Sequence, residues 1–398
     1  MRQLKGNKWV FILSLLFLFS CSKDNELDNS NQASQENFVG LTQAKEIAKD
    51  ISFKKQSESK TSKTSSFGIE KKAIQDINEI KNKKGKTVFY IINYVNGGYI
   101  ILSSDNRMRP IIAFSESGKF MLDESVYSEG LKDWMESSEK QITDIQNSDL
   151  KQTEEHKLAW RQVKSIFVNQ NLSGKPPTDV CYEHTETTIQ GPYLSSAWQQ
   201  EANFNYQLPY MNCNGYSAQV LAGCVPVAMA QIMKYYNYPS NYNWSLMDPT
   251  YATSVTANFI VDIHNAIRTV YPGQPTYSCD ATGVSSSADM GVVLKTQFKY
   301  SSADWANYNY QVVKDNITAG KPVLLSGSGN KGGHMWVCDG YKSVKYYFND
   351  CSGVSYLYFH MNWGWGPNGA NDYFAFDNFN PEVYTFNPNT KMIYNIKP

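Results

Sequence analysis

The chain has 398 residues, of which 41% are hydrophobic and 14% aromatic, and its formal charge is zero. That length and apolar content suffice for two domains with cores of their own. The balanced charge, with no basic run interleaved with aromatics, gives no reason to expect a nucleic-acid partner, and none is expected. No grouping of His, Cys or carboxylates has a zinc spacing, so neither a metal nor another cofactor is expected.

Residues 1–20 carry Arg2, Lys5 and Lys8 and then an apolar run from Trp9 to Phe19. The run is too short to span a bilayer and has the layout of a signal peptide. Leu18-Phe19-Ser20-Cys21 resembles a bacterial lipobox, in which Cys21 receives lipid and becomes the new N-terminus; the alternative is a plain secretory signal. A polar, acidic stretch follows at once, so residues 21–37 read as a lipid-anchored tether. Ser22 in place of Asp points to the outer membrane or cell surface as the destination.

From residue 38 the pattern becomes structured. Leu41, Ala44, Ile47, Ala48 and Ile51 have helical spacing, and Ser57 to Ser66 reads as an exposed loop. Two strand-like runs, Thr87 to Tyr94 and Tyr99 to Ser103, are joined through Asn96-Gly97-Gly98 as a hairpin, with a third strand from Pro110 to Phe114. Leu131, Trp134, Met135, Ile142 and Ile145 share one helical face, as do Leu158, Val163, Ile166 and Phe167. Residues 38–172 therefore form an α+β unit with no cysteine, only His156, and no catalytic group of its own. Leu172-Ser173-Gly174-Lys175-Pro176-Pro177-Thr178 breaks all periodicity, which marks 173–190 as a linker and the natural place for cleavage.

The unit at 191–398 is organised around Gly223-Cys224-Val225-Pro226, which runs into a helix that is apolar through Met233 except at Gln231. Pro226 suits a first helical turn, and Asn237 with Pro239 supplies the stop. A thiol there faces the positive end of the helix dipole, which favours thiolate. Three further stretches turn this from a buried cysteine into a candidate nucleophile. Gly332-Gly333-His334 puts an imidazole at the head of an apolar strand; Asn362-Trp363-Gly364-Trp365-Gly366 ends another strand with an amide and two indoles; Trp198-Gln199-Gln200 offers amides to an oxyanion. Helices are expected at Thr256 to Val270 and Met290 to Phe298. Strands are expected at Val323 to Ser326, Met335 to Gly340, Tyr346 to Asn349, Ser355 to Met361 and Asp372 to Phe376.

These motifs resemble the streptopain family of bacterial cysteine proteases, papain-like in fold, over about residues 190 to 398. The resemblance implies a helical half and an antiparallel sheet half with a cleft between them, an α+β fold overall. It assigns Cys224 as nucleophile, His334 as its imidazole partner, Asn362 as the residue orienting that imidazole, and Gln200 with the Cys224 backbone N–H as the oxyanion hole. Trp363 would shield the imidazole contact, with Trp365 and Gly333 lining the cleft. Asn203 stands where the family usually carries proline, leaving Gln200 in place. The 38–172 unit resembles the pro-domain and inhibitor fold of the same family. The implied partners are protein or peptide substrates, with a hydrophobic side chain just upstream of the scissile residue, and the chain's own pro-domain as inhibitor.

Other readings of the residues remain to be met. The same fold serves a catalytically silent binding or inhibitor protein, and the same site a thiol acyltransferase or amidase. His156, His184, His264 and His360 read as structural, and Asp339 and Asp350 as rival orienters of His334. Gly327-Ser328-Gly329-Asn330-Lys331-Gly332 matches G-x-G-x-x-G but precedes a strand, so it lacks a helix N-terminus for a pyrophosphate. Of Cys181, Cys213, Cys279, Cys338 and Cys351 at least one stays free or pairs outside the chain. A Cys338 to Cys351 bridge across a hairpin is one pairing to test, and strand register decides it.

Overall fold

The computed structural model describes residues 36–54, 69–123, 127–167, 181–329, 332–375 and 390–398. The signal segment, Cys21 and its tether through residue 35, the Ser57 to Ser66 loop and the Gly/Pro part of the linker lie outside them. The first unit comprises α1 (Leu41–Asp50), the short pair β1 (Ser52–Lys54) and β2 (Ile69–Lys71), then β3 (Ile74–Lys81), β4 (Thr87–Tyr94), β5 (Tyr99–Ser103) and β6 (Ile111–Ser115). Two helices follow, α2 (Glu129–Gln146) and α3 (Glu154–Gln162). Every residue of β4, β5 and β6 is buried, as expected of unbroken apolar runs covered on both faces. Asn96, Gly97 and Gly98 all take positive φ in the β4–β5 turn. Ser128 and Thr153 cap α2 and α3 through their side chains.

The second unit begins earlier than its sequence pattern suggests. Residues 184–190, assigned above to the linker, form β7 (His184–Gln190), and a disulfide joins Cys181 to Cys351 just before it. Next come the hairpin β8 (Tyr210–Cys213) and β9 (Tyr216–Gln219), α4 (Cys224–Tyr236), α5 (Ser254–Val270), and the two-residue pair β10 (Thr276–Tyr277) and β11 (Thr282–Gly283). After them lie α6 (Met290–Gln297), β12 (Ser302–Asn307), α7 (Tyr310–Thr318), β13 (Val323–Gly329), β14 (Gly332–Tyr347), β15 (Gly353–Asn362), β16 (Asp372–Phe374) and β17 (Lys391–Lys397). The strands expected at Met335 to Gly340 and Tyr346 to Asn349 are one long strand, β14. Its polar middle is hidden from a periodicity argument because β7 and β15 pair with it on both sides. The G-x-G-x-x-G match spans the β13–β14 hairpin, whose Gly329 and Gly332 are partners. A second disulfide joins Cys213 to Cys279, and because Cys351 is taken by Cys181 the expected Cys338–Cys351 bridge does not form: Cys338 is a free, buried thiol.

The two units share one antiparallel sheet. Its order is β12-β17-β13-β14-β15-β16-β6-β5-β4-β3, with β7 alongside β14, so the first unit joins the second where β6 meets β16. Tyr373 faces Phe114 and Phe374 faces Ala113, and the Ala375 N–H donates to the Ile112 carbonyl at 2.8 Å.

Buried cations are exchanged across this seam. Arg109 of the first unit is fully buried, donates to the Leu357 carbonyl at 3.1 Å and lies 4.6 Å from the Tyr356 ring centre. Lys342 of the second unit reaches back over Phe114 and Phe167 and pairs with Glu116 at 3.1 Å. The Trp134 indole N–H donates to the Ala375 carbonyl at 2.9 Å. A separate helical core, built from α4, α5 and α6, packs against the sheet on the cleft side.

Candidate active site

Cys224 is the first residue of α4, and the chain before it is held from two directions. Gly223 takes φ 85°, and a Cβ there would fall 2.9 Å from the Thr282 methyl and 3.0 Å from its carbonyl oxygen, so glycine is required on both counts. The Ala222 N–H donates to the Gln200 carbonyl at 2.9 Å. The Ala222 carbonyl meets Nε2 of His264 at 2.8 Å, and Nδ1 of that ring meets the Tyr277 hydroxyl at 2.9 Å. His264 is therefore a brace for the nucleophile turn, as its structural reading anticipated. Burial holds its pKa down at about 4, so it is neutral near pH 7.

His334 stands on β14, facing Cys224. Its Nε2 lies 2.8 Å from the Trp363 carbonyl oxygen, which leaves Nδ1 as the ring nitrogen available to the thiol. The Trp336 ring stacks on the imidazole with centres 6.0 Å apart and planes within 13°, and the Trp365 ring meets its edge, also at 6.0 Å. Burial acts to raise the Cys224 pKa. The His334 charge, its hydrogen bond and the Met335 backbone outweigh it, and the thiol is pulled down. Burial acts likewise to lower the pKa of His334, while the Cys224 charge and hydrogen bond and the Trp363 carbonyl raise it on balance. The opposed shifts favour thiolate beside imidazolium.

Asn362 does not have the place expected of it. Its amide donates to the Ser196 carbonyl at 2.7 Å, exchanges hydrogen bonds with Gln231 at 3.1 and 3.2 Å, and accepts from Gly364 N–H at 3.2 Å. Gln231, the polar exception on α4, also accepts from the Trp198 N–H at 3.1 Å. This buried amide pair ties helix, sheet and the 196–198 segment together. The imidazole is held by the next residue's backbone because Asn362 is turned toward α4.

Trp363 is fully buried and packs on Trp336 and Phe374, behind the imidazole, so Trp336 and Trp365 cover the ring more directly. The rival orienters lie elsewhere. Asp339 pairs with His360 at 2.6 Å, and Asp350 accepts from the Ser352 N–H in a turn.

A cavity of about 440 Å³ opens in front of the thiol, lined by Gln200, Gly333, His334, Met335 and Trp365, with Val284, Ala288 and Met290 on its apolar wall. One lining residue comes from the first unit: Glu129, at the start of α2. Beside it Gly130 touches the site so closely that a Cβ would fall 2.7 Å from His334 Cδ2 and 2.8 Å from the Trp363 ring. Nothing in the sequence around Gly130 signals this, since the contact joins segments about two hundred residues apart.

A helical half and an antiparallel half, meeting across a cavity with a thiol at its head, form the architecture of papain-like cysteine peptidases. Here a pro-domain is docked over the histidine. Two family models match the chain: Spi protease inhibitor over residues 36–142, and Peptidase C10 family over 198–246 and 240–374. Streptopain of Streptococcus pyogenes is 26% identical over 361 residues, covering 78% of this chain and 80% of that protein. Thiol protease/hemagglutinin PrtT of Porphyromonas gingivalis is 21% identical over 324 residues, 71% of this chain and 33% of that protein. In fold, a prointerpain A fragment from Prevotella intermedia is similar with a TM-score of 0.54 at 20% identity, covering 82% of this chain and 99% of the fragment. The chain belongs to the streptopain family of cysteine endopeptidases and carries the pro-domain of a zymogen.

The state of His264 sets an acid limit on stability. Its folded pKa of about 4 lies below the ordinary histidine value, so the unfolded chain binds a proton first as pH falls. Stability should therefore decline from about pH 6.5 toward 4, by on the order of 3 kcal/mol from this residue. Denaturant midpoints across that range should show the decline in the wild type and a shallower one in His264→Gln; equal slopes would contradict the assignment.

Proposed function

We propose that this endopeptidase works through Cys224 and His334, is exported on a lipid anchor at Cys21, and is held latent by direct contact of its pro-domain with the catalytic pair. The observation that carries the reading is that Cys224 and His334 line the head of one substrate-sized cavity, with His334 held from behind by the Trp363 carbonyl. The thiolate attacks the scissile carbonyl carbon, and the oxyanion that forms is held by the Gln200 amide and the Cys224 N–H. Imidazolium His334 gives its proton to the leaving amine as the C–N bond breaks, leaving a thioester. His334 then takes a proton from water as its oxygen adds to the thioester, and expulsion of the thiolate with the proton retained on the ring restores the pair. The apolar wall of Val284, Ala288, Met290 and Met335 suits a hydrophobic side chain just upstream of the scissile residue.

Latency has a steric and an electrostatic part. Gly130 lies against the imidazole, and the Glu129 carboxylate raises the pKa of both partners, so it works against the thiolate. Cleavage between Phe167 and Cys181 would leave β7 and its disulfide with the enzyme. The lipid would stay on the pro-domain fragment, so processing would also release the enzyme from the membrane. A fatty-acid label incorporated by the wild type and lost in Cys21→Ser is the test of the anchor.

Cys224→Ala should abolish casein hydrolysis, and hydrolysis above background would refute the nucleophile. Gln200→Ala should lower kcat by about 10² to 10³ with KM changed only a few-fold, because its hydrogen bond matters most in the transition state. Transfer of the acyl group to an added amine in preference to water would instead indicate an acyltransferase. Gly130→Ala should raise the activity of the uncleaved chain, since the new methyl collides with His334 and Trp363. An uncleaved Gly130→Ala chain as silent as the wild type would show that latency does not depend on this contact.

A further inference from the structure

His334 is oriented by a main-chain carbonyl, and a carbonyl is only as well placed as the loop that bears it. Trp363 begins a turn containing Gly364 and Gly366, both at positive φ, and glycines confer no stiffness. The turn is closed by Asn371. Its Oδ1 accepts from the Trp363 N–H at 2.9 Å and its Nδ2 donates to the Gly366 carbonyl at 3.2 Å, so one side chain spans the loop.

The backbone of Asn371 is itself held. Asn371 directly precedes β16, whose Asp372 and Tyr373 pair with Met361 and His360 of the adjoining strand β15, and Nδ1 of His360 lies 2.6 Å from Asp339 Oδ1. Asp339 is fully buried and fixed at its other oxygen by the Leu194 N–H at 2.8 Å. The Asp339 contact favours the imidazolium form of His360. Burial disfavours that charge, while Asp339 stabilises it and prevails. A buried ion pair therefore stands behind the loop, one layer removed from the thiol.

We infer that Asn371 is a positioning residue for the hydrolytic site, fixing the Trp363 carbonyl against His334, and that His360 and Asp339 fix Asn371 in turn. This rests on the reading that Cys224 and His334 are the reacting pair. The role assigned to Asn362 by family resemblance is thus divided: Trp363 supplies the oxygen and Asn371 supplies its position.

The consequence is electrostatic. A carbonyl aligned with Nε2–H favours the imidazolium, which in turn favours the thiolate. If the carbonyl is free to swing, the imidazolium loses its proton at lower pH and the thiol ionises at higher pH. The window in which the pair exists then narrows from both sides.

The test is the rate of Cys224 alkylation by iodoacetamide in the full-length chain as a function of pH, mapped by mass, beside kcat and KM after processing. Wild type should show a reactive window beginning below the ordinary thiol range, and His334→Ala should abolish it. Asn371→Ala should narrow the window by about half a unit or more at each edge and lower kcat tenfold or more, with KM within threefold. Asn371→Asp keeps an acceptor for the Trp363 N–H and should restore most of the window; it also serves if the alanine variant does not fold. His360→Gln should narrow the window less than Asn371→Ala. If the wild-type window is absent or indifferent to His334, the reading of the pair fails. If that window is present but unchanged in Asn371→Ala and Asn371→Asp, only the positioning role fails. A fall in activity with an unaltered window would likewise reduce Asn371 to a structural residue.

Discussion

A buried imidazole beside a partly buried thiol keeps its proton only if something other than water stabilises the charge. Here that is the Trp363 carbonyl, 2.8 Å from Nε2, together with the thiol on the other side of the ring. Most of the second unit is arranged so that these groups meet. Helix α4 brings Cys224 to the sheet with its N-terminal N–H groups toward the cavity, β14 brings His334, and the end of β15 brings the carbonyl. The buried Gln231–Asn362 amide pair locks helix to sheet directly beneath this junction. Amides suit that place: each has donors and an acceptor, and they satisfy one another without adding a charge that would compete with the imidazolium.

The pro-domain uses the same sheet to reach the same histidine. Because β6 pairs with β16, docking extends an existing backbone ladder and places α2 across the mouth of the site. Directional hydrogen bonds fix the register of this seam, and buried cations on aromatic rings anchor it. A half-buried carboxyl group, Asp372, accepts from the Tyr99 hydroxyl at 3.1 Å across the seam, and desolvation pushes its pKa up to about 7. Gly130 can then approach the imidazole to within van der Waals contact because it has no side chain. The small residue serves the inhibitor as Gly223 serves the enzyme: each lets a backbone come close to a group that must be controlled.

The local patterns were legible wherever the determinant was itself local. The β4–β5 hairpin was readable from apolar runs around Asn96-Gly97-Gly98, α4 from its proline and apolar face, and α5 and α6 from helical spacing. The thiol at a helix head, the histidine after glycines and the Asn-Trp-Gly-Trp-Gly ending were readable as chemistry. Short or polar strands were not: β7, β12 and the middle of β14 are strands because neighbours supply their hydrogen bonds. Cysteine pairing escaped for the same reason. Cys338 and Cys351 are close in sequence, but the fold brings Cys351 to Cys181 and leaves Cys338 buried alone.

The sequence by itself determined which residue types could carry amide hydrolysis, and on which kinds of element they stand, because helix starts, turns and apolar strands are written in neighbouring residues. Only the tertiary structure decided which atom orients the imidazole. Asn362 and Trp363 are adjacent in the chain, yet the first turns to Gln231 and the second offers its backbone to His334. The contacts of Gly130 with His334 and of Asn371 with Trp363 were settled at the same level. A main-chain carbonyl is common to every residue and leaves no signature in sequence. Its placement follows from strand register and loop closure, which depend on partners far away in the chain.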